Sequence, residues 1–417
     1  MEANAVTDVK VGRWSRLEMW LKGLSPGQRV LTLLLVWALL YGSLIAISVL
    51  LLQPFLEPRN IGATDLDVFQ VRARLILNGG IIYRDVPFLS FPVESPPIIN
   101  YLFIPPQLAG GEGWAYEIWF SIFALLSSLS VYLLLRHWND HLAFVAALIL
   151  LLCPSLVVEA TLAQQDEPIV VFFFILPALL YIRNRSKGAT AAVTLGFWTK
   201  FLSIILFPIM LLQLPDWRER FRHIGLAVLI SLAVALPFLI ICPVEFLLFP
   251  TYYMLADNDG GAGMSAVGLM SDGGLVIPGL VGALVTAVAL LITYWYCWKR
   301  ELDFWRSCML VTVVFLSIYP MIRLSYFILP FSFLAIWAAS DRRVLARILA
   351  MYIPLAIANV LDFSIDDGNV PAMFSWVALA FLIVGLLILA DATRIALRSK
   401  CFLDSPPSKA ADRKSTR

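Results

Sequence analysis

The sequence is poor in charge: 14% of its 417 residues are Asp, Glu, Lys or Arg, whereas 60% are hydrophobic. A soluble domain usually carries about 25% charged and about 45–50% apolar residues. Too few polar side chains are therefore present to cover a water-facing globule of this size. This shortage excludes a soluble globular protein, a disordered chain and a nucleic-acid-binding protein.

Cysteine motifs and phosphate-binding loops are also missing. The five cysteines lie in or beside apolar runs or in the C-terminal tail, so their positions indicate neither a disulfide framework nor a metal site. No glycine-rich phosphate loop stands between the apolar runs. An ATP-driven pump is therefore not predicted.

Long apolar runs dominate the sequence. A membrane-spanning helix needs about 20 predominantly apolar residues to cross about 30 Å of hydrocarbon. Such runs predict about 10 full spans, at 30–52, 114–135, 142–158, 168–182, 224–242, 276–298, 306–320, 326–340, 344–361 and 373–391. The predicted fold class is an all-α integral membrane protein, a multi-span helical bundle.

Basic residues occupy alternate connections between these runs. Cytoplasmic connections carry an excess of Lys and Arg, and most of the 31 basic residues fit one topology with both termini inside. Residues 1–29 are then a basic cytoplasmic tail, 30–391 the membrane domain, and 392–417 a cytoplasmic tail expected to be disordered. The first apolar run is too long for the core of a cleavable signal peptide.

The apolar stretch 189–214 does not fit a single crossing. It contains Lys200 and Pro208, and basic segments flank it on both sides, so both of its ends are expected inside. We therefore predict a re-entrant hairpin of two short helices, with its turn near Lys200–Ser203. Irregular backbone at this depth is tolerated only where it is buried in protein or lines a water-filled cavity.

The connection 53–113 is the longest predicted outer segment. Thr64 is a suitable N-cap and a Gly-Gly pair a suitable stop, and apolar residues recur between them at helical spacing. This pattern predicts an interfacial helix over 65–78. A second stretch, 98–108, is too short to cross and predicts another interfacial helix. A long loop with structure of its own is typical of a functional site.

The residue types on the predicted outer face limit its chemistry. All three histidines (His137, His141 and His223) fall on the inner side, and no cysteine lies in an outer connection. An outer zinc site, a Ser-His-Asp triad and a histidine general base are therefore excluded. The remaining carboxylates, arginines, tyrosines and one deep lysine suit a carboxylate base acting on a hydroxyl group, with cations that stabilise a phosphate leaving group.

Several short motifs follow one another along the chain. They are Thr64-Asp-Leu-Asp-Val-Phe69, Gly79-Gly-Ile-Ile-Tyr83-Arg-Asp85, Ser95-Pro-Pro97, Gln164-Gln-Asp166, Leu195-Gly-Phe-Trp-Thr-Lys200 and Arg323-Leu-Ser-Tyr-Phe327. In order and sidedness they resemble the GT-C glycosyltransferases, multi-span enzymes that use polyprenyl- or dolichyl-phosphate sugars. Within that superfamily they are similar to the catalytic subunit of glycosylphosphatidylinositol mannosyltransferase I and to prokaryotic polyprenol-phosphate-mannose mannosyltransferases.

The resemblance implies a GT-C-type fold and a catalytic carboxylate. In such enzymes a carboxylate at the start of the first outer loop removes the proton from the acceptor hydroxyl as that oxygen attacks the sugar, with inversion. Asp65 matches this position best, and Asp67 is the second choice. The residues expected to bind the substrates are Arg72, Tyr83, Asp85, Gln164, Gln165, Asp166, Lys200, Arg323 and Tyr326.

Each of these residues also has a structural interpretation. Asp67 stands where a capping-box partner would, and the helix macrodipole favours any anion at Asp65. Arg72 could be an ordinary headgroup anchor, and Lys200 could extend its ammonium to the membrane interface. Residues 164–166 are equally ordinary for a loop.

The sequence thus predicts an inverting transferase on the extracytoplasmic or luminal face of a plasma membrane or endoplasmic reticulum membrane. It would move a sugar, mannose by the resemblance, from the lipid phosphate to a hydroxyl of a glycolipid or lipid-linked glycan. The expected partners are donor, acceptor and membrane lipids, without nucleic acid. Neither a metal nor a cofactor is predicted, because a lipid monophosphate has no diphosphate for a metal to clamp. The need for an accessory subunit is left open.

Two other functions compete with this one. A secondary transporter places ionisable groups near the bilayer midplane, often in two similar halves. Here the carboxylates gather at one surface, and no internal repeat is found. The second alternative is a non-catalytic, lipid-binding membrane subunit.

Overall fold

The apolar sequence forms helices because backbone N–H and C=O groups in hydrocarbon must be paired within the protein. The computed structural model describes residues 20–56, 65–86, 93–249, 264–275, 277, 279–320, 322–366 and 369–407. Within these ranges all regular secondary structure is helical. The all-α prediction is therefore confirmed.

The helices are numbered here in chain order. They are α1 (Pro26–Ile47), α2 (Leu66–Leu77), α3 (Ile82–Asp85), α4 (Pro97–Leu102), α5 (Ile104–Leu108), α6 (Gly113–Leu135), α7 (Asp140–Leu151), α8 (Pro154–Thr161), α9 (Glu167–Ile182), α10 (Ser186–Thr199), α11 (Phe207–Leu212), α12 (Trp217–Ile241), α13 (Pro243–Leu248), α14 (Ala266–Asp272), α15 (Gly279–Lys299), α16 (Phe304–Ile318), α17 (Ile328–Ala338), α18 (Arg342–Ala350), α19 (Tyr352–Asp366) and α20 (Ser375–Arg398). Helix α1 continues through a π-helix, Ser48–Leu52, into Gln53–Leu56. Short 3₁₀-helices lie at Phe201–Leu206, Leu324–Phe327, Ala372–Phe374 and Phe402–Asp404.

The helices agree with the predicted spans in position. Each predicted span coincides with one helix or with a pair of consecutive helices. Six helical segments of the described chain are long and apolar enough to cross a membrane alone, or seven if the bent pair α7–α8 counts as one span. Four shorter apolar helices accompany them. The chain is an integral multi-pass membrane protein, and the count of ten full spans stays a prediction.

The predicted span 142–158 is bent rather than straight. It consists of α7 and α8, whose axes differ by 49°. Pro154 opens α8 as its first residue. Because proline lacks an N–H and its ring clashes with the preceding turn, it favours a new helix start over continuation.

The two ends of the bundle differ in their side chains. At one end Arg29 of α1 pairs with Asp140 of α7, and the Gln213 amide donates to the Leu302 carbonyl oxygen at 2.9 Å. We call this end, to which Arg306 also belongs, the basic end. The opposite end, where α6 and α9 begin, is called the site end.

The predicted hairpin is present, with its break at Lys200. Helix α10 runs from the basic end, where Thr190 lies 2.6 Å from the ring of His223, and stops before Lys200, whose backbone is extended (φ −155°, ψ 134°). The 3₁₀-helix and α11 then return to Gln213. The two arms touch at Gly196, where an added Cβ would stand 2.6 Å from Ser203 Oγ. Glycine therefore permits the close approach of the two arms.

The first predicted outer loop contains short helices in both expected places, and their position at the membrane interface stays a prediction. Helix α2 occupies the predicted 65–78 region, and Asp65 takes the N-cap position, whereas Thr64 lies outside the described residues. The predicted helix 98–108 is two short helices, α4 and α5, which meet at Phe103. Pro105 and Pro106 explain the break, because their missing N–H groups are tolerated only in the first turn of a helix.

Candidate active site

A cavity of about 720 Å³ opens at the site end of the bundle. Its wall combines α2, the segment before α4, the start of α9, the tip of the hairpin, α13, α15 and the turn before α17. We call it the site cavity. One side of it carries charged groups, and the other is apolar.

Helix α2 is fixed to the bundle by an aromatic cluster. The ring of Phe69 stacks on Phe103 at 4.3 Å and meets Phe120 of α6 edge-on at 5.9 Å. Aromatic pairs of this kind contribute about 0.5–1.5 kcal/mol beyond their area burial. Because α2 is anchored in this way, the position of its N-cap residue, Asp65, is fixed as well.

The structure separates the two candidate bases. Asp65 is exposed, lines the site cavity and makes no side-chain capping bond to α2. Asp67, the second residue of the helix, is exposed but does not line the cavity. Successive positions on a helix point in different directions, which explains the difference. Asp65 is therefore the carboxylate with access to a substrate in the cavity.

Lys200 stands at the tip of the hairpin, inside the site cavity. Its ammonium donates to Asp166 Oδ1 at 3.0 Å and to Glu167 Oε1 at 3.1 Å, and it lies 5.2 Å from the centre of the Tyr326 ring. The Lys200 side chain is only 15% exposed. A partly buried cation of this kind needs carboxylate partners, and α9 supplies both of them at its first turn.

The carboxylates around Lys200 are buried and lie close to one another, which disfavours their charged forms. The pKa of Asp166 is raised to about 6, mainly by burial; the charge of Lys200 opposes this shift, and the charges of Glu167 and Asp65 contribute to it. Glu167 is also buried, and its Oε2 has no hydrogen-bond partner among the described residues. A buried carboxylate oxygen without a partner is uncommon in folded proteins and marks this cluster as unusual.

Arg323 brings a second cation to the same wall. It precedes the 3₁₀-helix Leu324–Phe327, is exposed and lines the site cavity, as do Tyr326 and Gln165. The positive charges of Arg323 and Lys200 both act on the carboxyl group of Glu159, so the two cations influence the same region of the protein. Seven of the residues predicted from sequence therefore line one cavity: Asp65, Arg72, Gln165, Asp166, Lys200, Arg323 and Tyr326.

Arg72 lines the cavity but is already bonded on two sides. Its guanidinium pairs with both oxygens of Glu94 at 2.8 Å and donates to Ser95 Oγ at 2.6 Å. It is 2% exposed, and its Nε has no hydrogen-bond partner among the described residues. Arg72 thus ties α2 to the segment before α4, a structural duty that the sequence reading did not assign to it.

Four predicted site residues do not reach the cavity: Asp67, Tyr83, Asp85 and Gln164. Tyr83 is buried among phenylalanine rings and donates to the Ser95 carbonyl oxygen at 2.9 Å. Asp85 caps the N–H of Ile81 and pairs with Arg84, and both contacts lower its pKa. The Gln164 amide donates to Glu117. The position of these residues within short sequence motifs did not indicate that they make structural contacts.

Three carboxylates of this region were missed from the sequence: Glu94, Glu117 and Glu167. Glu167 directly follows the predicted Asp166, and Glu94 precedes the Ser-Pro-Pro motif. Glu117 is the sole acidic residue within the apolar run 114–135. An ionisable residue at membrane depth is a functional candidate by default, and that signal was available.

The apolar side of the cavity is formed mainly by α13 and α15. Helix α15 contributes Ala283, Ala287 and Leu290 at helical spacing, and Phe246 and Phe249 lie across from the hairpin. Phe201 stacks on Phe249 at 5.4 Å. This apolar arm adjoins the charged groups, so one ligand with a charged head and an apolar chain can contact both.

The metal-ligating side chains of the described residues do not gather into a metal-binding cluster. No group of three or more His, Cys, Asp or Glu in those ranges is arranged to hold a metal ion. The carboxylates near Lys200 are directed at that ammonium instead. A reaction without a metal stays a prediction.

The fold and cavity define a class of protein: a multi-pass helical membrane protein with a charged site at one end. Comparison with known families agrees with this class. Residues 94–241 match the sequence profile of the family described as dolichyl-phosphate-mannose-protein mannosyltransferase. The matched range includes Glu94, Asp166, Glu167 and the hairpin with Lys200. The resemblance to GT-C glycosyltransferases is thereby confirmed, and glycosyl transfer is the class of function that the match supports.

Other comparisons are more distant. None of the curated protein sequences compared matches the chain. Among solved structures, ArnT from Cupriavidus metallidurans bound to undecaprenyl phosphate is similar, with 16% sequence identity and a TM-score of 0.45. That similarity covers 79% of this chain and 71% of ArnT.

Proposed function

We propose that this protein is an inverting glycosyltransferase that moves mannose from a polyprenyl- or dolichyl-phosphate donor to a hydroxyl of a glycolipid or lipid-linked glycan. The observation that carries the proposal is the meeting of Asp65, Lys200 and Arg323 on the wall of one cavity with an apolar arm. The family match over 94–241 supports the reaction class and the sugar.

Asp65 acts as the general base in this proposal. Its carboxylate takes the proton of the acceptor hydroxyl as that oxygen forms a bond to the anomeric carbon. The bond between that carbon and the phosphate oxygen breaks, and the lipid phosphate leaves with the electron pair. Because a phosphate needs no proton to leave, one carboxylate suffices, whereas a glycosidase uses two.

Lys200 and Arg323 stabilise the charge that develops on the leaving phosphate. Lys200 lies in the site cavity beside Asp166 and Glu167, and Arg323 lies on the same wall, so both cations border the space proposed for the phosphate. The isoprenoid chain of the donor lies along the apolar arm on α15. Gln165, which lines the site cavity, is proposed to contact sugar hydroxyls.

The site end is proposed to face the extracytoplasmic or luminal side, because the connections at the basic end carry the excess of Lys and Arg. No metal takes part in the proposed step, so transfer continues in the presence of a chelator. An accessory subunit is not required by this mechanism.

Purified protein reconstituted in nanodiscs provides the test. It is incubated with a panel of prenyl-phosphate sugars and glycolipid acceptors, with and without a chelator, and the products are analysed by mass spectrometry. Transfer from a mannosyl donor with inversion is expected. The proposal is wrong if no donor is consumed and if, in vesicles that contain no lipid-phosphate sugar, the protein instead carries a solute across the membrane. That result would identify a transporter.

A further inference from the structure

Glu117 is a fully buried carboxylate inside an apolar helix. It lies in α6 with no exposed surface. Its Oε1 accepts hydrogen bonds from Ser48 Oγ at 2.6 Å, Gln53 Nε2 at 3.1 Å and Gln164 Nε2 at 2.7 Å. A membrane-buried carboxylate is costly to retain, so this convergence of three donors calls for a function.

Two of the donors flank an irregular turn of α1. Ser48 opens the π-helix Ser48–Leu52, and Gln53 follows it directly. Single π-helical turns inside α-helices are rare and occur frequently at functional sites. The irregular turn in α1 and the carboxylate in α6 are therefore parts of one arrangement.

The third donor comes from a strained turn. Gln164 has a φ of 52°, in the left-handed region that residues with a side chain rarely adopt. Such strain persists only where the surroundings hold it in place, at a cost of about 1–3 kcal/mol. The bond from its amide to Glu117 supplies that hold, and the next three residues, 165–167, line the site cavity.

Gly113 makes room for this network. It lies one turn before Glu117 in α6, and a Cβ there would stand 2.7 Å from Gln164 Nε2 and 2.8 Å from Gln53 Nε2. Any side chain at this position would push both amides away. Gly225 of α12, in contrast, has nothing within 4 Å of its added Cβ.

We infer that Glu117 is a positioning residue for the site cavity. It holds the left-handed turn at Gln164 and thereby fixes Gln165, Asp166 and Glu167. The carboxylates of Asp166 and Glu167 in turn hold the ammonium of Lys200. The catalytic consequence rests on the proposed function, whereas the geometric consequence does not.

A labelling experiment tests the geometry without any turnover. Gln165→Cys places a thiol on the cavity wall, and the five native cysteines are all buried. Its rate of reaction with a water-soluble maleimide is measured alone and combined with Glu117→Gln, Gly113→Ala or Gly225→Ala. The first two combinations are expected to change the rate, and Gly225→Ala to leave it unchanged. Equal rates in all four proteins would overturn the inference.

Kinetics test the consequence for transfer. A misplacement of about 1 Å at a reacting group can cost about 10²-fold in rate, so Glu117→Gln is expected to lower kcat by about that factor. The KM for the acceptor should change much less. The double variant Glu117→Gln with Gln164→Glu restores a charged hydrogen bond in the reverse direction and should recover part of kcat.

The two possible failures are distinguishable. If the wild-type protein transfers no sugar, the proposed function is wrong, and the labelling rates still decide the role of Glu117. If the wild type is active and Glu117→Gln matches it in kcat and in labelling, the positioning role is wrong. A loss of kcat with unchanged labelling and no rescue by the double variant also contradicts it.

Discussion

Both ends of the bundle carry a cation held by two carboxylates, yet the two clusters differ in burial. At the basic end Arg306 pairs with Asp303 and Asp404, whose side chains are 47% and 33% exposed. At the site end Lys200 pairs with Asp166 and Glu167, whose side chains are 12% and 6% exposed. The number of charges is the same, but the surroundings are not.

This difference distinguishes an ordinary ion-pair cluster from the cluster that we propose to act on the substrate. Arg306 also donates to the Ser399 carbonyl oxygen at 2.8 Å, and its two carboxylate partners are partly exposed. Around Lys200 the carboxylates are dry, one oxygen lacks a partner among the described residues, and the whole group borders the site cavity. Buried charges without full satisfaction are costly and are retained where they act on a substrate.

The largest effect is expected for Asp65→Asn. This change removes the proposed base and keeps its size, so the transfer rate should fall by about 10²–10⁴-fold, the usual contribution of general-base catalysis. Donor binding should stay nearly intact, because Asp65 does not pair with Lys200 in the described contacts. Single-turnover transfer and binding of a labelled donor are measured together.

Asp67→Asn is the matched comparison for that variant. The residue lies on the same helix and carries the same group, but it does not line the cavity. Its loss of activity should be far smaller. A greater loss in Asp67→Asn than in Asp65→Asn would exchange the roles of the two residues.

Lys200→Met should have the next largest effect. Loss of one group that stabilises charge in the transition state typically costs about 10²–10³-fold in kcat. The variant also leaves Asp166 and Glu167 without their cation, and breaking a buried pair destabilises a protein by about 3–5 kcal/mol. Transfer and thermal unfolding are compared with those of Arg306→Met, in which unfolding is expected to change and transfer is not. Equal losses of transfer in both variants would remove the distinction between the two ends.

The pH dependence of transfer distinguishes the two clusters further. The pKa of Asp166 is about 6, raised mainly by burial, and its neighbours Lys200, Glu167 and Asp65 also act on it. As the pH falls through about 6, the Asp166 carboxylate takes up a proton and becomes neutral. Its ion pair with Lys200 is then lost, so Lys200 is held less firmly and the transfer rate should fall. In Asp166→Asn the rate should be lower at neutral pH and should lack this step. An unchanged acid limb in that variant would contradict the assignment.

The smallest effect is expected for Asp404→Asn at the basic end. Arg306 keeps its bonds to Asp303 and to the Ser399 carbonyl oxygen, and exposed ion pairs are worth about 0–1 kcal/mol. Thermal unfolding should shift slightly, and the transfer rate should stay that of the wild type. A marked loss of transfer would show that the basic end communicates with the site cavity.

The sequence predicted the helical framework well because apolar length and charge distribution are physical requirements of a membrane. The hairpin followed from the basic residues on both sides of 189–214, and its tip was located to the residue that breaks the helix, Lys200. The bend at Pro154 and the division of 98–108 were missed. Both depend on where a proline permits a helix to restart, which a count of apolar residues does not contain.

Seven of the candidate residues selected from the sequence line one cavity, whereas the contacts that hold them there were not predicted. Asp65, Lys200 and Arg323 could be selected because they are charges in places where charge is expensive. The pairing of Arg72 with Glu94 and the capture of Gln164 by Glu117 join residues 22 and 47 positions apart, so no local pattern reveals them. Tyr83 and Asp85 belonged to a motif, yet tertiary packing directs their side chains elsewhere.

The hairpin has a consequence for how this protein could be altered. Because both of its arms start from the same end of the bundle, the height of Lys200 along the membrane normal depends on arm length alone. An α-helix rises about 1.5 Å per residue. Inserting or deleting one residue in α10 would therefore change the depth of the ammonium by about 1.5 Å and also turn it by about 100° about the helix axis, away from Asp166. A change of about one full turn would keep its direction and alter its depth by about 5.4 Å, and the donor head group that fits would change with it.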